Sequence, residues 1–200
     1  MKVVNRLVLA VSFMFASMAN ADVILSLEPS TQTANSGDMV SVSVMIDGLG
    51  DGVPLSLGGF DIDVIFDTSV LSFAGYSLSD ELGDVGAFEA LDLSGGEYFP
   101  SVVNILEVSF LSIFDLWDFQ SGSFAIAELF FNINPTENHA TADIFFAYVD
   151  LDDAGGDEIP LFEGNVLNTS ISVPSPATLL LMGLGLFAMF VRKKRNQVNV

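Results

Sequence analysis

The sequence predicts an all-β domain, an antiparallel β-sandwich of about eight or nine strands, followed by one C-terminal transmembrane helix. Three observations carry this. Apolar residues recur with period two, as in Val40, Val42, Val44 and Ile46, and again in Phe60, Ile62, Val64 and Phe66 with Asp61, Asp63 and Asp67 opposite. Such alternation puts successive side chains on opposite faces of a strand, so one face is apolar and the other wet. Gly, Asp, Asn and Pro cluster between these segments, at 35–38, 47–54 and 150–157, where turns need them. No sustained helical period appears between residues 22 and 173, apart from a short turn around Asp80 to Leu91.

Taken in order, residues 1–21 read as a signal peptide: Lys2 and Arg6, an apolar run from Leu7 to Phe15, then Ala19-Asn20-Ala21 as the cleavage site. The apolar run is too short to span a bilayer, and the mature chain is expected to begin at Asp22. Strands are expected at 23–27, 40–46, 60–66, 105–111, 123–133, 141–149 and 166–173, all within one domain over 22–173. The tail is 174–200. Its segment 177–191 carries no charge and is followed by Arg192, Lys193, Lys194 and Arg195. A helix of that length rises about 22 Å against a hydrocarbon core of about 30 Å, so it spans with help from its flanks. The cations hold its end in the cytoplasm and leave the domain outside the inner membrane.

All six basic residues lie in the two terminal segments, and all 26 acidic residues lie between Asp22 and Glu163. A domain of formal charge −26 with no cation repels phosphates, which excludes nucleic acid as a partner. Its carboxylates have no lysine or arginine to pair with, so they must be solvated, hydrogen-bonded or bound to metal. The chain has no cysteine, hence no disulfide or thiolate site, and stability rests on burial.

That inventory leaves little room for catalysis. One histidine, His139, lies in a loop with no nucleophile motif nearby, and carboxylate pairs are too abundant among 26 acids to point anywhere. No catalytic residue is assigned, and the chain is expected not to be an enzyme. The run 150–158 admits two readings. Asp150, Asp152, Asp153 and Asp157 offer hard oxygen ligands for calcium around two glycines, or the segment is a hydrated hairpin turn. It is not an EF-hand, because the twelfth position from Asp150 is Leu161 and not Glu. Tyr98 and Trp117 are the candidate rings for stacking on a glycan, with burial in the core as the alternative for each.

Two stretches carry a resemblance. Val173-Pro174-Ser175-Pro176, the apolar run with Gly183 and Gly185, and the basic stop resemble a PEP-CTERM sorting signal, with Ser175 where that family usually has Glu. The resemblance implies an exosortase as partner, removal of the tail, and delivery to the cell surface or extracellular matrix of a polysaccharide-producing Gram-negative bacterium. Gly37-Asp38 before the 40–46 strand, Gly59 to Asp67, Val70-Leu71-Ser72-Phe73 and Gly122-Ser123-Phe124 with Ile126, Leu129 and Phe131 resemble a cohesin-like domain. That resemblance implies a jelly-roll sandwich sharing its fold with carbohydrate-binding modules, and a binding role toward a polysaccharide or a surface protein through a sheet face. The alternatives are a calcium-bridged structural component of the matrix and a polysaccharide hydrolase.

Overall fold

Alternation in the long strands builds two sheets that share one apolar interior. A computed structural model describes residues 22–50, 55–135 and 140–174. The first sheet comprises β1 (Ile24–Glu28), β3 (Met39–Asp47), β5 (Leu71–Leu78), β9 (Ser123–Ile133) and β11 (Val166–Leu167), in the order β11-β1-β3-β9-β5. The second runs β2-β12-β10-β4-β8-β6, from β2 (Thr31–Thr33), β12 (Thr169–Val173), β10 (Ala140–Asp153), β4 (Leu57–Phe66), β8 (Val102–Ser109) and β6 (Ala90–Asp92). A further strand, β7 (Gly96–Phe99), also pairs with β8. The inward residues of both sheets interdigitate. Phe131 of β9 meets Phe66 of β4 at 5.1 Å and Phe73 of β5 at 5.8 Å between ring centroids.

The sandwich is mostly β as expected, but three details differ from the sequence reading. Twelve strands are present among the described residues, because β2, β6, β7 and β11 have only two to four residues each and cannot display a period. The sheets are not wholly antiparallel, since the edge strands β11 and β2 pair in parallel with β1 and β12. The expected strand 105–111 ends at Ser109, and a helix, α1 (Ile113–Phe119), comes next. Ser112 starts that helix through a capping box: its hydroxyl accepts from the Asp115 N–H while Asp115 accepts from the Ser112 N–H. Gln120 ends it. Its buried amide accepts from Leu57 N (2.8 Å) and donates to Leu57 O (2.7 Å) and Glu81 O (2.9 Å), tying the helix to the start of β4.

One irregularity decides which side chains of β10 face solvent. The pairing of β10 with β4 shifts register between Phe146 and Tyr148. Before the shift Ala142 and Ile144 point inward; after it Leu151 does. A bulge therefore inverts the phase of the strand and turns Tyr148, Asp150 and Asp152 to the outer face. The Asn168 side chain accepts the Phe146 N–H at 3.1 Å at this point, in the break between β11 and β12. The signal peptide and the segment 177–191 lie outside the described residues. Among the described residues no helix is long and apolar enough to cross a membrane.

Candidate functional site

The outer face of the β10-β4-β8-β6 sheet carries polar, aromatic and apolar side chains side by side. Strand register lays them out in rows. Asp152, Gly59, Val108 and Leu91 are successive cross-strand neighbours, one from each strand. The next row is Asp150, Asp61 and Leu106, with Leu93 donating its N–H to the Leu106 carbonyl. Then come Tyr148, Asp63, Asn104 and Gly96, and then Phe145, Ile65, Val102 and Phe99. Tyr98, Phe99, Phe145 and Tyr148 are all exposed. The β10–β4 half of the first two rows is acidic and the β8–β6 half apolar.

Hydrogen bonds fix the third row. Asn104 Nδ2 donates to Asp61 Oδ1 (2.7 Å) and Asp63 Oδ1 (3.0 Å), and Tyr98 donates its hydroxyl to Asp63 Oδ2 at 2.8 Å. That last bond, available only while Tyr98 keeps its proton, raises the Tyr98 pKa. Tyr148 donates to Asp150 Oδ2 at 3.3 Å, and the Asp150 charge raises the Tyr148 pKa in the same sense. Burial raises the Asp152 pKa, helped by the neighbouring Asp150 and Asp153 charges.

Across the first two rows a groove of about 360 Å³ opens between β8 and the Asp153–Gly156 turn. Gly58 and Gly59 line it, and at Gly58 nothing larger fits: a Cβ there would lie 2.4 Å from the Asp153 carbonyl oxygen. Leu106, Val108 and Leu111 form one wall, Asp150 and Asp152 the other.

The residues singled out from sequence are thus distributed unevenly. Tyr98, Asp150 and Asp152 reach the outer face. Asp153 lines the same groove, but its Oδ1 accepts the N–H groups of Gly155 (2.7 Å) and Asp157 (3.0 Å) as an ordinary turn residue. Among the described residues no group of three or more His, Asp or Glu side chains, the four candidate calcium ligands included, is arranged to hold a metal ion. Trp117 is half-buried in α1, edge-on to Phe114 at 5.4 Å, with its indole N–H unpartnered. His139, Ala19, Ala21, Ser175, Pro176 and the four terminal cations lie outside the described residues.

Sequence reading missed Glu107. It sits between Leu106 and Val108 of the face but points inward, fully buried opposite Phe60 and Asp92. Neither of its carboxyl oxygens has a hydrogen-bond partner among the described residues. Burial, with the Asp92 and Asp80 charges adding to it, pushes its pKa up to about 7. Asp92 can stay ionised beside it. Although burial opposes this, hydrogen bonds from Ser94 and from Tyr76 (2.9 Å) lower the Asp92 pKa. An acid at an inward strand position is visible in the alternation Val103, Ile105, Glu107 once the strand is started at Val102.

Comparison with solved structures shows the class of fold first: it is cohesin-like. The sixth cohesin of scaffoldin B from Acetivibrio cellulolyticus, solved with a dockerin, matches with a TM-score of 0.58 at 18% identity, over 78% of this chain and 99% of that one. A type I cohesin–dockerin complex from Clostridium thermocellum matches at 0.60 and 12% identity, over 80% and 98%. A non-cellulosomal cohesin from the archaeon Archaeoglobus fulgidus matches at 0.56 and 12% identity, over 78% and 93%. The particular feature of this chain is its tail, where residues 172–195 match the PEP-CTERM protein-sorting motif. Comparison with curated proteins found no match.

The Glu107 environment yields a pH dependence. With a folded pKa near 7 against an ordinary 4.5, ionisation of Glu107 opposes folding, so its cost is absent below about 4.5, grows as pH rises and is complete above 7. The difference is on the order of 3 kcal/mol. Glu107→Gln is expected to gain roughly that much unfolding free energy at pH 8 relative to its effect at pH 4.5, measured by urea denaturation of both proteins. Equal effects at the two pH values would show that the carboxyl titrates in the folded protein as it does in the unfolded chain, and so is not held in a desolvated site.

Proposed function

We propose that the chain is a surface-sorted binding module that holds a protein partner against the outer face of the β10-β4-β8-β6 sheet and carries out no chemistry. The observation that carries this is the face itself. Four strands place exposed aromatic and apolar side chains around a hydrogen-bonded acidic centre, and among the described residues nothing covers them. Interfaces are built this way, with aromatic anchors beside a few oriented polar groups. The cohesin-like fold supports the reading by analogy, since two of the matched cohesins were solved holding dockerins. Catalysis lacks its parts: the sandwich has no lysine or arginine to stabilise a developing anion and no cysteine nucleophile.

The sorting motif implies export, recognition by an exosortase and delivery to the cell surface. In this reading Ala19 and Ala21 direct removal of the signal peptide, 177–191 tethers the precursor to the inner membrane, and Pro174, Ser175 and Pro176 with Arg192–Arg195 present the tail for processing. A second reading has support from one feature. Tyr98 and Tyr148 line a shallow depression with Asp61, Asp63 and Asn104, a mix of rings and hydrogen-bonding groups that suits a sugar.

Two measurements check this. Mass spectrometry of the protein from the cell that makes it is expected to find a C-terminus before Ala177; a stable product retaining Arg192–Arg195 contradicts sorting by cleavage. The full chain, immobilised and exposed to surface extract, is expected to retain a defined partner that Tyr148→Ala with Val108→Glu loses. Protease treatment of the extract should abolish retention. Loss on polysaccharide-degrading treatment instead points to the glycan reading.

A further inference from the structure

Building on the reading of this sheet face as a protein-docking surface, we propose that the partner presents lysine or arginine side chains along one edge of an amphipathic surface. Those cations lie on the β4–β10 carboxylates and the apolar side chains beside them on the β8–β6 strip. The domain leaves one electrostatic conflict open on this face. Asp61 and Asp150 are direct cross-strand neighbours, a pairing of like charges that destabilises a sheet. No lysine or arginine exists between Asp22 and Glu163 to relieve it. Neutral donors are supplied only in part: Asn104 satisfies one oxygen of Asp61, and Tyr148 satisfies one oxygen of Asp150. Asp61 Oδ2, Asp150 Oδ1 and both oxygens of Asp152 accept no hydrogen bond from another described residue.

The complement to that surface is a cation, and the neighbouring groups narrow its kind. Tyr98 and Tyr148 flank the carboxylates with exposed rings, over which an ammonium or guanidinium gains further attraction. One or two strands away, Leu106 and Val108 of β8, with Leu91 of β6 directly opposite Val108, form the apolar half. A free metal ion would ignore that half, and a neutral apolar surface would bury the carboxylates unpaired, which is costly. A protein surface carrying basic and apolar side chains side by side uses both halves. The charge gradient also sets its orientation, basic edge over β10 and apolar edge toward β6. Field from a sandwich with 26 acids and no lysine or arginine would speed the encounter and make it sensitive to salt.

The test titrates the full chain in non-ionic detergent with three labelled helical peptides of equal length that share one leucine edge and carry Lys/Arg, Gln or Glu along the other. Binding is read by fluorescence anisotropy and mapped by hydrogen–deuterium exchange. The basic peptide is expected to bind saturably and to protect β4, β8 and β10. Substituting D61N/D150N/D152N should weaken it roughly tenfold or more, while D38N/D47N/E128Q, which removes the same charge from the other sheet, should change it little. Equal losses in the two variants, or no saturable binding of the basic peptide, overturn the proposal. Equal binding of the Gln peptide to the same face overturns the cationic preference and leaves the docking surface standing. Protection confined to the other sheet removes both.

Discussion

The structure depends on burial without ionic help. Between Asp22 and Glu163 every formal charge is negative, so no salt bridge to lysine or arginine can form within that span, and the repulsion among carboxylates acts against folding throughout. Cohesion comes instead from the interior, where both sheets contribute fully buried aliphatic side chains around the Phe66, Phe73 and Phe131 rings. The carboxylates are kept outside or given neutral donors. Asp84 takes the Gly86 and Ala87 N–H groups, Asp67 those of Ser69, and Asp153 those of its own turn. Glu107 is the exception, buried directly behind the outer face with neither oxygen partnered among the described residues.

The same constraint shapes the surface. A sheet that buries one face exposes the other, and here the exposed face of β10, β4, β8 and β6 inherits the residues that alternation excluded from the core. The bulge between Phe146 and Tyr148 is decisive. Without it Asp150 and Asp152 would point into the interior and Leu151 would point out, and the acidic half of the face would not exist. Gly58 then lets the Asp153 turn approach closely enough to wall the groove.

Much of this is legible in the sequence, because strands β3, β4, β9 and β10 are long enough to show their period. The rest escapes detection for physical reasons. Strands of two to four residues, such as β6 and β7, owe their existence to pairing with β8 and carry no pattern of their own. The helix α1 has seven residues, too few for a helical period, although Ser112 and Asp115 stand at capping-box spacing. At the site, Asp150 and Asp152 read from sequence as parts of a loop with Asp153 and Asp157, whereas strand β10 continues to Asp153 and separates them. Asp61 and Asp63 read as a wet strand face; their meeting with Asn104, Tyr98 and Tyr148 is a matter of tertiary register that one sequence does not display.

The proposed partner engages one sheet face and not the whole acidic surface. Site-specific photo-crosslinking in the producing cell tests it most directly, with a photoreactive residue placed at Val108 or Tyr148 on this face and, for comparison, at Ser41 or Ser77 on the other sheet. A discrete adduct is expected from positions 108 and 148 and none from 41 and 77. Adducts from the other sheet alone, or equally from all four positions, would contradict it.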